Sequence, residues 1–220
     1  MGLSQPAIVG IGGTVRSDST SEAALRVALA SSQRAGGRVE FFAAADLVLP
    51  FYDPRAPGRS ESALRLLAAL RAANGVIVSS PGYHGAISGL IKNALDYVED
   101  MAEDDRAYLS GLPFGCIGIA YGSQAAVTVL ANLRTIAHAL RAFPTPYGAA
   151  IVAGPSIFDH GRCIDADTRE QLEMVGQQVV ELAQLDTRIH PGRDSGGLRR
   201  SVLATASQPP LRAAAPPVGM

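Results

Sequence analysis

The stretch from residue 75 to residue 98 constrains the fold of this chain most. It opens with an apolar run, Gly75 to Val78, that is typical of a buried strand. Pro81 and Gly82 follow, and we expect them to end the strand and force a turn. Apolar residues then recur at helical spacing, at positions 87, 90, 91, 94, 95 and 98. Such a turn either faces a ligand at the carboxyl edge of a sheet or is an ordinary strand-to-helix connection.

The same alternation of strand and helix recurs along most of the chain. Apolar runs typical of strands lie at residues 7–11, 39–43, 75–78, 114–120 and 147–152, and amphipathic patterns typical of helices follow them. Such units predict a parallel α/β sheet with helices on both faces. Right-handed crossovers favour a doubly wound five-stranded sheet of order 2-1-3-4-5. In that order the loops after strands one, three and four meet at one crevice.

The chain divides into one domain and a C-terminal extension. Residues 1–190 carry the strand and helix patterns, as expected of a single domain. In residues 191–220 the hydrophobic periodicity is lost, and Pro, Gly, Arg, Ser and Ala dominate. We expect this segment to be a disordered tail. The alternative is a segment that reaches a neighbouring subunit.

The composition argues against several classes of partner. The formal net charge is −1, so no strong field attracts nucleic acid or an anionic membrane. The sequence has neither a signal-peptide pattern nor an apolar run of the roughly 20 residues that span a bilayer. We therefore expect a soluble cytoplasmic protein. No metal site is expected either, because Asp159, His160 and Cys163 are too few ligands at no regular spacing.

The loop after the first strand has the residue types of a phosphate site. Hydroxyl side chains and one guanidinium are crowded together there, and the next helix adds backbone N–H donors at its N-terminus. The side-chain donors are Thr14, Arg16, Ser19, Thr20 and Ser21. The plainer alternative is that Ser19 or Ser21 caps the helix and that Arg16 is solvated.

Other nucleotide-binding patterns are incomplete. Gly10 and Gly12 begin a dinucleotide-binding fingerprint, but Val15 stands where its third glycine belongs. Lys92 is the only lysine of the chain, and no P-loop ending in Gly-Lys-Ser/Thr is present. A phosphate monoester therefore suits the first loop better than a pyrophosphate does.

Two motifs resemble those of a known family. The first loop reads Gly13-Thr14-Val15-Arg16-Ser17-Asp18-Ser19-Thr20-Ser21. The second motif comprises Pro81-Gly82-Tyr83-His84 and then Ser88-Gly89-Leu90-Ile91-Lys92-Asn93-Ala94-Leu95-Asp96. They are similar to Gly-Ser-x-Arg-x-x-Ser-x-Asn and Pro-Glu-Tyr-Asn/His…Leu-Lys-Asn-Ala-Leu-Asp of the NAD(P)H-dependent FMN reductase family, which is flavodoxin-like. The resemblance covers roughly residues 7–185 and leaves out the tail.

The resemblance implies an FMN site with two parts. The phosphate would lie on the donors of the first loop, and the isoalloxazine ring would lie along the second motif, with residues of the loop after the fourth strand beside it. The ring-side residues are Pro81, Gly82, Tyr83, His84, Gly85, Gly122 and Ser123. Thr14 and Ser21 replace the family's Ser and Asn and keep a polar donor. Gly82 replaces its Glu, which removes a carboxylate and is expected to loosen the loop.

The resemblance also implies an activity and partners. NADPH or NADH would pass hydride to the flavin, which would then reduce a quinone, an azo compound or dioxygen, or leave for a partner monooxygenase. No essential acid or base side chain is expected. A single histidine in a loop, such as His84, is more often a hydrogen-bonding residue than a general acid. A homodimer or homotetramer is implied. Two alternatives stay open: a flavin-binding sensor or electron carrier, and a biosynthetic enzyme that uses flavin as its substrate.

Overall fold

The computed structural model describes residues 5–16 and 19–189, with side chains as far as Asp186. The strands are β1 (Ala7–Gly12), β2 (Arg38–Phe42), β3 (Gly75–Tyr83), β4 (Ala86–Ile87), β5 (Pro113–Ala120), β6 (Phe143–Pro144), β7 (Ala149–Val152), β8 (Phe158–Asp159) and β9 (Arg162–Cys163). The helices are α1 (Thr20–Arg34), α2 (Glu61–Ala72), α3 (Gly89–Asp96), α4 (Ser123–Ala139) and α5 (Ala166–Ile189). Two 3-10 helices cover Ala44–Leu47 and Tyr97–Met101. The predicted tail lies outside the described residues.

The central sheet has the predicted strand order. β1 lies between β2 and β3, β5 follows β3, and all these pairs are parallel. Two short strands share the fifth position in the sheet, next to β5: β6 pairs with the start of β5, and β7 pairs with its end. The predicted strand at 147–152 is therefore shorter in the structure, and the short β6 precedes it. The doubly wound α/β fold class is confirmed.

Alternate residues of the strands face two separate layers of helices. Ile8 and Ile77 pack with α1 and α5, whereas Val9 and Val76 pack with α2, α3 and α4. This follows from the alternation of side chains along a strand. Both faces of the sheet are therefore buried, which explains the continuous apolar runs in the sequence.

The α1–α5 contact is tight enough to require a glycine. A Cβ built at Gly176 would lie 2.0 Å from the carbonyl oxygen of Ala28. Ser32 Oγ donates a hydrogen bond to the Gly176 carbonyl at 3.0 Å. This contact fixes the axis of α1, whose N-terminus lies at the edge where the predicted site is located.

The turn predicted at Pro81 and Gly82 lies three residues further along the chain. β3 continues to Tyr83 and folds back as a hairpin onto β4, with Gly82 opposite Ile87. The reversal occurs at His84 and Gly85, whose φ angles are 49° and 85°. Positive φ at both central residues suits a two-residue hairpin turn, which the sequence reading overlooked.

The acidic segment that follows the third helix, residues 99–105, is held by ion pairs to other parts of the chain. In the structure α3 continues as a 3-10 helix, and Asp100 accepts two hydrogen bonds from Arg59 at 2.6 and 2.8 Å. Asp104 pairs with Arg71 at 2.7 Å. These ion pairs connect the patch to the β2–α2 connection and to α2.

Candidate functional site

Three connections converge at the carboxyl edge of the sheet. Gly12 of β1 pairs with Ser79 of β3, and Pro81 of β3 pairs with Ile119 of β5. The loop after β1, the β3–β4 hairpin and the turn after β5 therefore leave neighbouring strands at the same edge. In an open α/β sheet this edge is where ligands bind. The structure thus brings together the three segments that carry the predicted site residues.

The first loop offers hydroxyl groups around the start of α1. Ser19 is the N-cap, and its Oγ accepts a hydrogen bond from Glu22 N at 3.2 Å. Thr14 Oγ1 accepts from Arg16 N at 3.2 Å and lies 3.1 Å from Arg16 O. The capping alternative is therefore correct for Ser19. Capping is compatible with anion binding, because the helix still presents its first N–H groups.

The predicted donors of this loop differ in how accessible they are. Arg16 is exposed, and Thr14, Ser19 and Thr20 are half-buried. Ser21 is only 2% exposed, and its carbonyl accepts a hydrogen bond from Ser79 Oγ at 2.8 Å. Ser21 therefore joins α1 to β3 and is set back from the open donors of the loop.

Glu22 is a charged residue near the first loop that was not among the predicted site residues. Its side chain is 6% exposed, and Oε1 accepts a hydrogen bond from Arg26 at 2.7 Å. Among the described residues, Oε2 has no hydrogen-bond partner. A Cβ built at Gly13 would lie 3.7 Å from Oε2, so the carboxylate lies directly behind the first loop. The Ser19–Glu22 spacing of a capping box was the available signal.

The β3–β4 hairpin forms the second side of the site. Tyr83, His84 and Gly85 are exposed at its tip. Ser80 Oγ accepts a hydrogen bond from Ser88 N at 2.9 Å, which ties the base of the hairpin to the start of α3. The space above Gly85 is open, because a Cβ there would meet nothing within 4 Å. A planar group could therefore approach the backbone of the tip.

Gly82 is packed rather than loose. A Cβ at this position would lie 2.7 Å from Val129 Cγ2 and 3.3 Å from Ala120 Cβ. The expectation that Gly82 loosens the loop is therefore wrong, since it lies in a paired strand beneath α4. Val129 fills the space into which a longer side chain at position 82 would extend.

The turn after β5 forms the third side. Gly122 is the N-cap of α4 and Ser123 is the first residue of that helix, and both are exposed. Tyr121, which the sequence reading missed, is 92% exposed. Tyr83 and Tyr121 each lie two residues beyond the paired Pro81 and Ile119. Two exposed phenol rings therefore leave neighbouring strands at matching positions.

The rest of the second motif supports this edge from below. Asn93 Oδ1 accepts a hydrogen bond from Tyr52 N at 2.9 Å, and its Nδ2 donates to the Pro50 carbonyl at 2.9 Å. Lys92 and Asp96 form an intrahelical ion pair. Asn93 therefore holds the β2–α2 connection against α3, which is a reason for its place in the motif.

Cys116 has no part in the chemistry of this edge. It lies within β5 and is buried, and burial raises the pKa of its thiol to about 12. The thiol is therefore protonated near neutral pH and is a poor nucleophile.

These residues fit a flavin mononucleotide. Hydroxyl groups, a guanidinium and a helix N-terminus suit a phosphate, and the open space above Gly85 and Gly122 suits a flat ring. Among the described residues of the first loop and the first turn of α1, Glu22 is the one group whose charge opposes the phosphate. Fold and site together define a flavodoxin-like α/β protein.

Comparison with known proteins identifies the family. The model of the family "NADPH-dependent FMN reductase" matches residues 6–155, and the chain belongs to this family. It is accordingly a flavin oxidoreductase that uses FMN and a nicotinamide nucleotide. An NAD(P)H-dependent FMN reductase of Pseudomonas aeruginosa is 27% identical over 183 residues, which are 82% of this chain and 95% of that protein.

Solved structures agree on the fold. The NAD(P)H:(acceptor) oxidoreductase FerB of Paracoccus denitrificans has a TM-score of 0.65 at 24% identity, over 82% of this chain and 98% of that one. RosB with the bound intermediate 8-demethyl-8-formylriboflavin-5′-phosphate has a TM-score of 0.67 at 16% identity, over 99% of this chain and 93% of that one. None of the helices in the described part of this chain is long and apolar enough to span a membrane.

Proposed function

We propose that the carboxyl edge described above holds FMN and that NADPH or NADH reduces it there. The observation that carries this proposal is the convergence of a hydroxyl-rich helix N-terminus with an open hairpin tip on neighbouring strands. FMN supplies the hydride chemistry when it is bound, and the protein supplies binding, orientation and electrostatics.

The phosphate half of the site is assigned to the first loop. Arg16 is exposed, and its guanidinium can form a charge-assisted pair with phosphate oxygens, which is stronger than a neutral hydrogen bond. Thr14, Ser19 and Thr20 add hydroxyl groups, and α1 adds the N–H groups of its first turn. Ser21 supports the loop through its contact with Ser79.

The ring half of the site is assigned to the hairpin and the turn after β5. Backbone N–H groups near His84 and Gly85 can hydrogen-bond the polar edge of the ring. Pro81, Gly82 and Tyr83 form the strand end beneath it, with Gly122 and Ser123 beside it. His84 serves as a hydrogen-bonding residue of the tip, and no general acid is required of it.

The reduced site then passes its electrons to an acceptor. We propose a small molecule, namely a quinone, an azo compound or dioxygen; release of reduced FMN to a partner monooxygenase is the other form of the same activity. We further propose that the protein is cytoplasmic and forms a homodimer or homotetramer. Light scattering on the purified protein tests the assembly, because a 22.8 kDa particle would contradict it.

An anaerobic absorbance titration tests the proposal. The purified protein is titrated with FMN and then with NADPH or NADH. We expect the flavin band to shift on binding and to bleach on addition of the nucleotide. Binding without bleaching by either nucleotide would contradict reductase turnover and favour an electron carrier or sensor. Consumption of FMN to a new flavin, seen by chromatography, would favour the biosynthetic alternative.

A pair of arginine variants tests the assignment of the phosphate. Arg16→Ala should weaken FMN binding about tenfold, equivalent to about 1.4 kcal/mol, because a charge-assisted contact is lost. Riboflavin, which has no phosphate, should bind both proteins equally. Arg38→Ala is the control variant. Arg38 is exposed at the start of β2 and therefore lies at the opposite edge of the sheet from the first loop. Equal loss of riboflavin binding in Arg16→Ala would contradict the assignment.

A further inference from the structure

A second cavity lies beside the phosphate half of the site. It has a volume of about 450 Å³ and is lined by Thr20, Ala23, Phe158, His160 and Gly161. Thr20 and Ala23 belong to the first turns of α1, and the other three belong to the hairpin of β8 and β9. The cavity therefore begins at a residue assigned to the flavin phosphate and extends away from it.

The β8–β9 hairpin is firmly held at its base. Phe158 pairs with Cys163, and Ile164 N donates a hydrogen bond to the Ile157 carbonyl at 2.9 Å. Cys163 is buried, and its carbonyl accepts a hydrogen bond from Arg169 of α5 at 2.9 Å. The hairpin is thus held at its base, and to α5, by contacts that involve none of the residues at its tip.

The tip presents its polar groups to solvent and to the cavity. His160 and Gly161 form a second two-residue turn, with φ angles of 44° and 76°. The His160 side chain is 95% exposed and lies 3.6 Å from Asp159 Oδ1. Arg162, which is also exposed, pairs with Asp159 across the hairpin strands. Two basic side chains and one acidic side chain therefore lie at this tip.

The size and lining of the cavity indicate its ligand. Small-molecule sites usually have volumes of about 300–1,000 Å³, so this space is larger than a phosphate group needs and suits a nucleotide-sized group. Thr20 offers a hydroxyl and His160 an imidazole for phosphate oxygens, and Phe158 offers an aromatic ring for a base. These contacts match a nucleoside phosphate.

We propose that this cavity binds the adenosine phosphate half of a dinucleotide and that His160 contacts its phosphate. The inference rests on the proposed function, which places a flavin phosphate at the adjoining end of α1. Two molecules carry this group: NAD(P)H, whose nicotinamide would reach the flavin, and FAD, whose adenylate is joined to the flavin phosphate. The adenosine phosphate group that the cavity would recognise is the same in both molecules.

The test compares two histidine variants of the full-length protein loaded with FMN. His160→Asn removes the imidazole and keeps the turn, because asparagine is favoured at positive φ before glycine. His138→Asn is the control, since His138 is exposed on the last turn of α4. AMP is the probe, and its binding is measured by calorimetry. We expect AMP to bind the wild type and the control, and to bind His160→Asn at least fivefold more weakly.

Kinetics then identify the source of the adenylate. A raised KM for NADPH with unchanged kcat in His160→Asn assigns the cavity to the hydride donor. Weakened FAD binding with unchanged FMN binding assigns it to the flavin dinucleotide. The inference is overturned if AMP does not bind the wild type or binds His160→Asn equally well. Neither result would contradict the proposed function, which is tested by FMN binding and by bleaching of the flavin band in the wild type.

Discussion

Glu22 places a buried negative charge behind a loop assigned to a phosphate. Its position in the first turn of α1 is favourable to the helix, since the N-terminal end carries partial positive charge. The same carboxylate repels a phosphate bound at that end, and one of its oxygens has no partner among the described residues. The loop therefore combines an anion-binding helix end with an opposing charge.

Replacing Glu22 by glutamine should tighten FMN binding. The substitution keeps the shape of the side chain and removes the charge, so the phosphate loses an unfavourable interaction of about 1 kcal/mol, or roughly fivefold in affinity. Calorimetric titration with FMN measures the effect. Riboflavin is the control ligand, because its affinity should not change. Weaker FMN binding by Glu22→Gln would show that the carboxylate supports the loop rather than opposing the phosphate.

Single residues of the site were predictable to different degrees. The donors Thr14, Arg16, Ser19 and Thr20 follow from their residue types, and they all lie at the first loop. Burial was not predictable from type alone: Ser21 is covered by its contact with β3, which depends on tertiary packing. Which of these residues contact FMN stays a prediction.

At the scale of elements, the β3–β4 hairpin depends on the packing of Gly82 against α4. Gly82→Ala should destabilise the protein by about 1–3 kcal/mol, the usual cost of overpacking, because the new methyl group meets Val129 Cγ2. Val129 is β-branched and has few alternative rotamers. Urea unfolding measures the change.

Two further variants test whether the contact with Val129 causes this destabilisation. Gly82→Ala combined with Val129→Ala should be more stable than the sum of the two single changes predicts, because the methyl groups no longer collide. Gly89→Ala is the matched control, since a Cβ there meets nothing within 4 Å. Additive losses in the double variant would mean that the Gly82–Val129 contact does not cause the destabilisation.

The ion pair between Arg59 and Asp100 holds the β2–α2 connection in place. We expect this pair to make the stability of the protein depend on pH. The hydrogen bonds from Arg59 and Tyr52 hold the pKa of the Asp100 carboxyl below its usual range. A carboxyl with a lowered folded-state pKa stabilises the protein above its unfolded pKa, and this stability is lost as pH falls through the folded value. The pair should therefore contribute at pH 7 and fade in acid.

Asp100→Asn should lower the free energy of unfolding by about 1–2 kcal/mol at pH 7, because charged hydrogen bonds are replaced by weaker ones. The difference from the wild type should shrink as the pH falls below 4. Denaturation in urea at several pH values measures this. Asp104→Asn, which removes a more exposed pair, should have a smaller effect. A difference that does not vary with pH would contradict the role assigned to the ionised pair.

Elements were predicted best where the apolar pattern alone decides them. The buried strands β1, β3 and β5 begin within a residue of the predicted positions. The end of β3 was missed because the hairpin turn uses His84 at positive φ, a position that asparagine and glycine usually signal. The ion pairs of residues 99–105 were missed because their partners, Arg59 and Arg71, are distant in sequence.

For the whole molecule, the order of the sheet followed from the number of strand–helix units and the handedness of crossovers. The convergence of three loops on one edge followed from that order. The domain boundary near residue 190 stays a prediction. It can be tested by ending the chain after Ile189, which is the last residue of α5.

This shortened chain should fold and bind FMN as the full-length protein does. Among the residues whose side chains are described, the hydrophobic clusters on both faces of the sheet extend no further than Ala183, and all of these residues are kept in the shortened chain. Thermal unfolding and FMN titration of the two proteins give the comparison. A lower melting temperature or weaker FMN binding would favour the alternative in which residues 191–220 reach a neighbouring subunit.

The contact between Gly82 and Val129 also limits how this sequence can evolve. A glutamate at position 82, as in the family motif, would lower stability if it were introduced alone, because its Cβ would overlap Val129. A smaller residue at position 129 would make room for it, but that change alone leaves a gap beneath α4. Each single step is therefore expected to lower stability, so Val129, which lies beneath the ligand edge, restricts which side chains position 82 accepts.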